Sequence, residues 1–359
     1  MEVHPITMTL RVPIPMSNGV IEKTGNVLVK LVGEDGVVGW GEGVEAPALT
    51  HQRQADIVAD LEMLRPLVIG SDPMSRTELW ARLIAARPGA ATAIGAIDIA
   101  THDLAGRALG VPVHQLIGGS VRDRIPALTL VGSGNASADA DKLAERFEAG
   151  FRWFKIKLGM AEPEIELGTL AKASELVGAE GVVCGDVNEG WDEDEARAFL
   201  GRLDGDRVRF IEQPVPRDQR DAFLRLAASS PVKLCADEGA GSLQAVIGYV
   251  GTPVGGVSLK LIKHGGITGV MRGAGICAAG GLSVNLAGKV IESSVSAAAN
   301  LHCAAAMERV DFGCSPANQG VVQDVSGDPI TLRSGTFTVP DGPGLGFDVD
   351  EELVRRLSS

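Results

Sequence analysis

No apolar run in the sequence reaches the ~20 residues that a membrane span needs. The opening stretch, MEVHPITMTLRVPIP, also lacks the basic-then-apolar order of a signal peptide. Basic side chains are in short supply: 33 Lys and Arg against 46 Asp and Glu leave a net charge of −13. That balance argues against nucleic acid or an anionic membrane as a partner, since both call for clustered Lys and Arg. Cysteines are few: Cys184, Cys235, Cys277, Cys303 and Cys314 lie scattered with no CxxC, an odd set that suits reduced thiols. These absences leave a cytoplasmic enzyme acting on a small molecule as the expectation. Apolar material, by contrast, is plentiful. At 45% hydrophobic over 359 residues, the chain is not disordered and calls for one large domain plus a smaller one.

Residues 1–45 read as short strands, with Val27-Leu28-Val29-Lys30-Leu31-Val32 ending in the turn Gly33-Glu34-Asp35-Gly36. From 50 to about 118 the period becomes helical, and the small apolar run 91–100 suits closely packed helices. Residues 1–120 therefore predict an α+β capping unit. Beyond it, apolar strands alternate with helical stretches at 127–131, 153–158, 182–186, 208–212, 233–237, 257–261, 282–286 and 310–313. Eight such units predict a parallel (β/α) barrel over 121–330. A doubly wound sheet is the rival, but Gly132-Ser133-Gly134 is too short for its phosphate turn. Residues 331–359 are loop-like at first and are expected to fold back onto the cap.

The charges inside this pattern carry the chemistry. Lys155 and Lys157 end the second barrel strand, Asp186 the third, Glu212 the fourth, Asp237 the fifth and Lys260 the sixth. Lys157, Asp186, Glu212, Asp237 and Lys260 follow one another at gaps of 29, 26, 25 and 23 residues, about one βα unit each. Consecutive units thus deliver one charge apiece to the C-terminal rim, where barrel enzymes work. Such charges are costly in apolar strands unless paired or metal-bound. Three carboxylates make an oxygen set for a hard divalent cation such as Mg²⁺, whereas Zn²⁺ would favour His or Cys. The plainer reading is that these acids cap helices or pair with Arg209 or Lys233; it suits one acid alone better than three in succession. Lysines flanking a metal and each other are expected to lose pKa and act as bases. Two of them could remove an α-proton from one face of a carboxylic acid and return one to the other. Lys155, on the same strand face as Lys157, suits electrostatic support.

Lys155-Ile156-Lys157, Asp186-Val187-Asn188, Ile211-Glu212-Gln213-Pro214, Ala236-Asp237-Glu238 and Leu259-Lys260-Leu261-Ile262-Lys263-His264-Gly265-Gly266 resemble, in order, the motifs of the enolase superfamily, muconate-lactonizing subgroup. The stretch from Ala96 to Leu104 and Glu292-Ser293-Ser294 before an Ala-rich helix are similar to it too, so the likeness spans nearly the whole chain. The resemblance implies a modified (β/α) barrel of TIM type, with a cap completed by the C-terminal tail. It implies Mg²⁺ (with Mn²⁺ as a substitute) on Asp186, Glu212 and Asp237, and Lys157 and Lys260 as the acid/base pair. A Lys or His base working with Mg²⁺ is that superfamily's known pattern, not a result of the spacing. Lysines here, rather than a His–Asp pair, place the chain away from the mandelate-racemase branch. It further implies a small-molecule carboxylate substrate, a homo-oligomer (dimer or octamer), and a lid from 13–26, which by itself reads as a polar turn.

Asn188 and Glu238 are expected to orient the ligands beside them. Glu292, Ser293 and Ser294 are candidates for a substrate carboxylate, with helix capping as the alternative. His302 reads as a core histidine, His264 lies just past the sixth strand, and Cys184 and Cys235 read as small core residues. With two lysines, racemisation or epimerisation of an amino-acid derivative leads, and β-elimination or cycloisomerisation of a carboxylic acid stays open. Dipeptide epimerases of the subgroup carry Asp-x-Asp at the eighth strand for the substrate ammonium. This chain has Asp311-Phe312-Gly313-Cys314-Ser315-Pro316 instead, which favours an N-substituted or cyclic amino acid. A catalytically silent barrel and a metal-dependent aldolase on the same fold are the remaining readings.

Overall fold

A computed structural model describes residues 1–16 and 19–358. The N-terminal unit is an antiparallel sheet in the order β1 (Glu2–Met16), β2 (Gly19–Val32), β3 (Val38–Val44). β1 and β2 pair from Glu2↔Lys30 to Met16↔Gly19, with a register shift between Thr9 and Ile14. The segment expected to form a lid is the outer end of this hairpin; its centre, Ser17 and Asn18, lies outside the described residues. Arg11 N donates to Gly320 O at 2.9 Å and Val322 N to Thr9 O at 2.8 Å, so the hairpin lies along the chain that leaves the barrel. The helix Ala91–Leu109 packs on β3 because both surfaces are pared down. A Cβ at Gly41 would stand 1.9 Å from Ala96 O. The small residues of that helix therefore admit a strand as well as helices.

After the short β4 (Arg124–Pro126) come eight parallel strands: β5 (Leu128–Val131), β6 (Trp153–Lys157), β7 (Val182–Asp186), β8 (Phe210–Glu212), β9 (Lys233–Ala236), β10 (Gly256–Leu259), β11 (Ser283–Ala287) and β12 (Gly313–Ser315). They neighbour one another in sequence order, and a parallel bridge Ala127↔Cys314 brings the last back to the first. The fold is a (β/α) barrel with an antiparallel N-terminal cap. β4 joins β13 (Leu332–Arg333) and β14 (Thr336–Thr338) in a separate small sheet. The C-terminal segment then meets the cap: Leu345 N donates to Asp103 Oδ1 at 2.8 Å, and Glu351 pairs with Lys30 at 2.8 Å. No helix among the described residues is long and apolar enough to cross a membrane.

The first seven barrel strands fall where the apolar alternation predicts them, but the eighth is corrected from 310–313 to Gly313–Ser315. Phe312 is drawn into the barrel floor, stacked on Phe210 with ring centroids 4.2 Å apart, so the apolar run belongs to the approach to the strand. Asp311 consequently precedes β12, at the end opposite the carboxylates. There it accepts from Ser283 Oγ at 2.7 Å and from Arg309 at 2.9 Å. The floor itself is the apolar cluster Leu128, Cys184, Phe210, Cys235 and Phe312, with Trp153 against it. Side chains two apart on a strand share a face. Cys184, Phe210 and Cys235 thus form the floor beneath Asp186, Glu212 and Asp237.

Between cap and barrel the buried helix Ser294–Ala306 places His302 Nδ1 3.2 Å from His114 Nδ1. Burial, reinforced by His114, holds His302 down to about 3. This lies below the ~6.5 of an unfolded histidine, so between those values only the unfolded chain takes up the proton. The stabilisation is full above pH 6.5 and is lost as pH falls, at about 1.4 kcal/mol per unit, or about 2 kcal/mol by pH 5. Urea unfolding from pH 7 to 5 is expected to show a shallower loss of stability in His302→Leu than in the wild type; parallel slopes would refute the assignment.

Candidate active site

Register alone assembles the site. Lys157 stands opposite Asp186 across β6 and β7, and Asp186 opposite Glu212 across β7 and β8. Asp237 follows β9, and Lys260 follows β10. The row of three carboxylates thus has a lysine at each end, and all five rise above the apolar floor. Each carboxylate is drawn to an ammonium. Lys155 pairs with Glu212, Lys157 Nζ lies 3.6 Å from Asp186, and Lys260 Nζ lies 2.6 Å from Asp237. Glu212 also accepts from Ser258 Oγ and, at 3.3 Å, from Asn285 Nδ2.

Lys263, three residues past Lys260 in the same motif, is the most enclosed of these cations. Its ammonium donates to Asp237 Oδ1 at 2.7 Å, to Asp237 O at 2.7 Å and to Ser258 O at 2.9 Å. The helix turn Leu261–His264 after β10 swings it back beneath Lys260. Gln213, like Lys263, was not among the expected site residues. Its Oε1 accepts from Asp237 N and Gly239 N, both at 3.0 Å, and so holds the turn that presents Asp237.

The expected lowering of the lysines supposed a divalent cation beside them; against the carboxylates alone, Lys155 and Lys260 are raised. Burial opposes charge on Lys155, but Glu212 and then Asp186 outweigh it and hold the lysine above its ordinary range. Burial is likewise overcome at Lys260, by Asp237 first. Lys263 is lowered, by burial. In this structure the nearest charges to Lys155 and Lys260 are negative, and their sign decides. Burial pushes Glu212 up, with Asp186 and Asp237 adding to it against Lys155. Asp237, though buried, is held well below the carboxylate range by Lys260 and Lys263.

Asn188 and Glu238 meet across the row: Asn188 Nδ2 donates to Glu238 Oε1 at 3.1 Å and Asn188 N to Asp186 Oδ1 at 3.2 Å. Burial, and then Asp237, raise Glu238 to about 7. Backbone strain gathers at this rim. Asn188, Glu189, Gln213 and Ile291 all hold positive φ, between 36° and 67°. For a β-branched residue such as Ile291 that is a costly conformation, the kind found where surrounding structure dictates the backbone.

Glu292, Ser293 and Ser294 are turned to other work. Ser293 caps the helix Ser294–Ala306 and donates to Glu42 Oε2 at 2.8 Å, and Ser294 Oγ donates to Asp324 at 2.8 Å. Glu292 accepts from Ala317 N at 2.8 Å and Lys289 N at 3.1 Å, and burial raises it to about 8. Glu42, from β3, is the partner that sequence could not supply. It is fully enclosed and accepts from Asn26 Nδ2 at 2.7 Å, from Ser293 N at 3.0 Å and from Ser296 N at 3.2 Å. His264 is buried with its Nδ1 on Lys260 O at 3.0 Å, and burial lowers it to about 3.

Among the described residues, no three acidic, histidine or cysteine side chains converge closely enough as they stand to hold a metal ion. Their chemistry nonetheless fits a hard divalent cation. The set is oxygen only, comes from three successive strands, and has the unpaired buried oxygens Glu238 Oε2 and Asn188 Oδ1 beside it.

Two family models cover most of the chain. Residues 1–118 match the mandelate racemase / muconate lactonizing enzyme N-terminal domain, and residues 138–353 match the enolase C-terminal domain-like model. A chloromuconate cycloisomerase of Cupriavidus necator is 34% identical over 369 residues, covering 100% of this chain and 99% of its own. An N-succinyl-L-Arg/Lys racemase of Bacillus cereus is 27% identical, with 99% and 96% covered. Among solved structures, the muconate lactonizing enzyme of Pseudomonas fluorescens complexed with muconolactone superposes with a TM-score of 0.92, at 27% identity and over 99% and 97% of the two chains.

Proposed function

The chain belongs to the mandelate racemase / muconate lactonizing enzyme family of the enolase superfamily, and from that membership we propose an isomerase that removes and returns a proton α to a substrate carboxylate. The observation that carries this reading is the placement of Lys157 and Lys260 at the two ends of the row Asp186, Glu212, Asp237. A base at each end can address opposite faces of one α-carbon. Lys155, pressed against Glu212, stays charged and offsets the negative charge that gathers on the substrate carboxylate. Mg²⁺ on Asp186, Glu212 and Asp237 would supply further Lewis-acid stabilisation of that charge. The apolar floor keeps water from the lysine layer from below.

Racemisation or epimerisation of an N-substituted or cyclic amino-acid derivative is the leading reaction. The C-terminal end of β12 runs Ser315-Pro316-Ala317 and offers no carboxylate to a free ammonium, and Asp311 lies at the other end. Cycloisomerisation is the second reading, favoured by the higher identity to chloromuconate cycloisomerases. Proton NMR in D₂O with Mg²⁺ separates them, using N-acyl amino acids, proline derivatives, dipeptides, hydroxy acids and cis,cis-muconate. Loss of an α-proton signal with inversion is the expected result. A lactone would favour the second reading, a vinylic or keto product would mean elimination, and turnover of free dipeptides alone would overturn the N-substituted class.

A further inference from the structure

The acids and lysines occupy one side of the barrel's inner wall, and the strand ends on the other side are uncharged. Passing from Lys260 to Lys157 by way of β11, β12 and β5, the rim residues are Ala287, Ser315 and Gly132. Ala287 pairs with Ser315, and it lies two residues past Asn285, whose Nδ2 reaches Glu212 inside the barrel. Gly132 follows β5 directly, and a Cβ there would stand 2.7 Å from Lys157 Cβ, so the side chain it lacks would meet that lysine.

Leu130 stands below Gly132 on the inner face of β5. Leu128, two residues earlier, belongs to the apolar floor; Gly132, two residues later, abuts Lys157; and Leu130 is paired in register with Lys155. Side chains two apart share a face, so Leu130 enters the chamber beside the lysine layer. Val131, on the opposite face, is buried in the main apolar core instead.

The lysines beside it are enclosed, Lys155 at 8% exposure and Lys157 at 7%, whereas Leu130 is 38% exposed. The stacked floor closes the chamber below, so that surface is open toward the mouth. A leucine exposed on an outer face is ordinary. Here the apolar surface lines a chamber that carries its acids and lysines from β6 to the end of β10. Binding sites are built this way, with an apolar wall and a few placed polar groups, and covering the leucine releases the water against it.

We propose that Leu130 is a specificity-determining contact that receives an apolar group of the substrate, on the side of the chamber away from the acids. The inference rests on the carboxylate chemistry proposed above and deepens it. The substrate is an acid whose part next to the first barrel strand is uncharged and apolar. The short side chains of Ala287 and Ser315, and the bare Gly132, leave the space above Leu130 to that group.

Methyl NMR on protein with ¹³C-labelled leucine tests this by binding alone, with Mg²⁺ present and acetate, butanoate, hexanoate and hexan-1-ol as probes. The Leu130 signals are identified by their loss in Leu130→Ala. In the wild type they are expected to shift with butanoate and hexanoate, and affinity to rise by about tenfold or more from acetate to hexanoate, since one buried methylene is worth about fourfold. Leu130→Ala and Leu130→Asn are expected to bind acetate as the wild type does while the rise falls below about threefold. A wild type indifferent to chain length, or variants that keep the rise, overturns the proposal and leaves the carboxylate reading standing. Variants that weaken acetate as much as hexanoate overturn it too, because the leucine would then only hold the barrel in shape. Leu130 signals that answer to hexan-1-ol and to none of the acids would uphold the contact and sink the carboxylate reading.

Discussion

Replacing Lys260 by alanine is expected to cut kcat/KM by about 10²–10⁴-fold while leaving the barrel folded. Asp237 keeps Lys263 at 2.7 Å, so its carboxylate is not stranded when Lys260 is removed. Lys157→Ala should lose as much, since Lys157 stands 3.6 Å from Asp186 at the other end of the row. The two variants should differ in what survives. If each lysine serves one face, Lys157→Ala still exchanges the α-proton of the enantiomer facing Lys260, and Lys260→Ala that of the opposite enantiomer, neither with inversion. Deuterium incorporation into separate enantiomers, followed by NMR, reads this directly. Both variants losing exchange with both enantiomers would mean that the lysines act as a unit and not as two bases.

The second large effect lies away from the chemistry. Glu42→Ala would leave Asn26 Nδ2, Ser293 N, Ser293 Oγ and Ser296 N without their acceptor at the centre of the cap–barrel seam. Stranding several buried donors costs about 1–3 kcal/mol each before relaxation, so a net loss of about 3–5 kcal/mol is expected. Glu42→Gln keeps one acceptor oxygen and should lose about half as much. Urea unfolding gives both numbers, and a loss under about 1 kcal/mol for Glu42→Ala would show that the seam does not depend on this carboxylate.

Glu42 also shows where reading the sequence stops. Its partner Ser293 is 251 residues away, and no local pattern couples a strand acid in the cap to a serine before a barrel helix. Ser293 was accordingly open between substrate contact and helix cap, and the contact across the seam places it as the cap. Lys157, Asp186, Glu212, Asp237 and Lys260 were legible for the opposite reason. Each ends an apolar strand or directly follows one, and the fold's own repeat puts strand ends together. The eighth strand was misplaced because Val310-Asp311-Phe312 looks more like a strand than Gly313-Cys314-Ser315 does. There, pairing with Asn285–Ala287 overrides propensity. Lys263 and Gln213 sit in the turns just past strand ends. In a turn, one residue's φ decides where a side chain points, and the positive φ at Gln213 is not written in its neighbours.

The stacked Phe210 and Phe312 make the reaction chamber a blind-ended vessel. Whatever enters must leave by the opening through which it came, so substrate and product compete for a single doorway and cannot pass one another. Turnover then proceeds one molecule at a time. The loops beyond β11 and β12, at the carboxylate end of the barrel, border that opening.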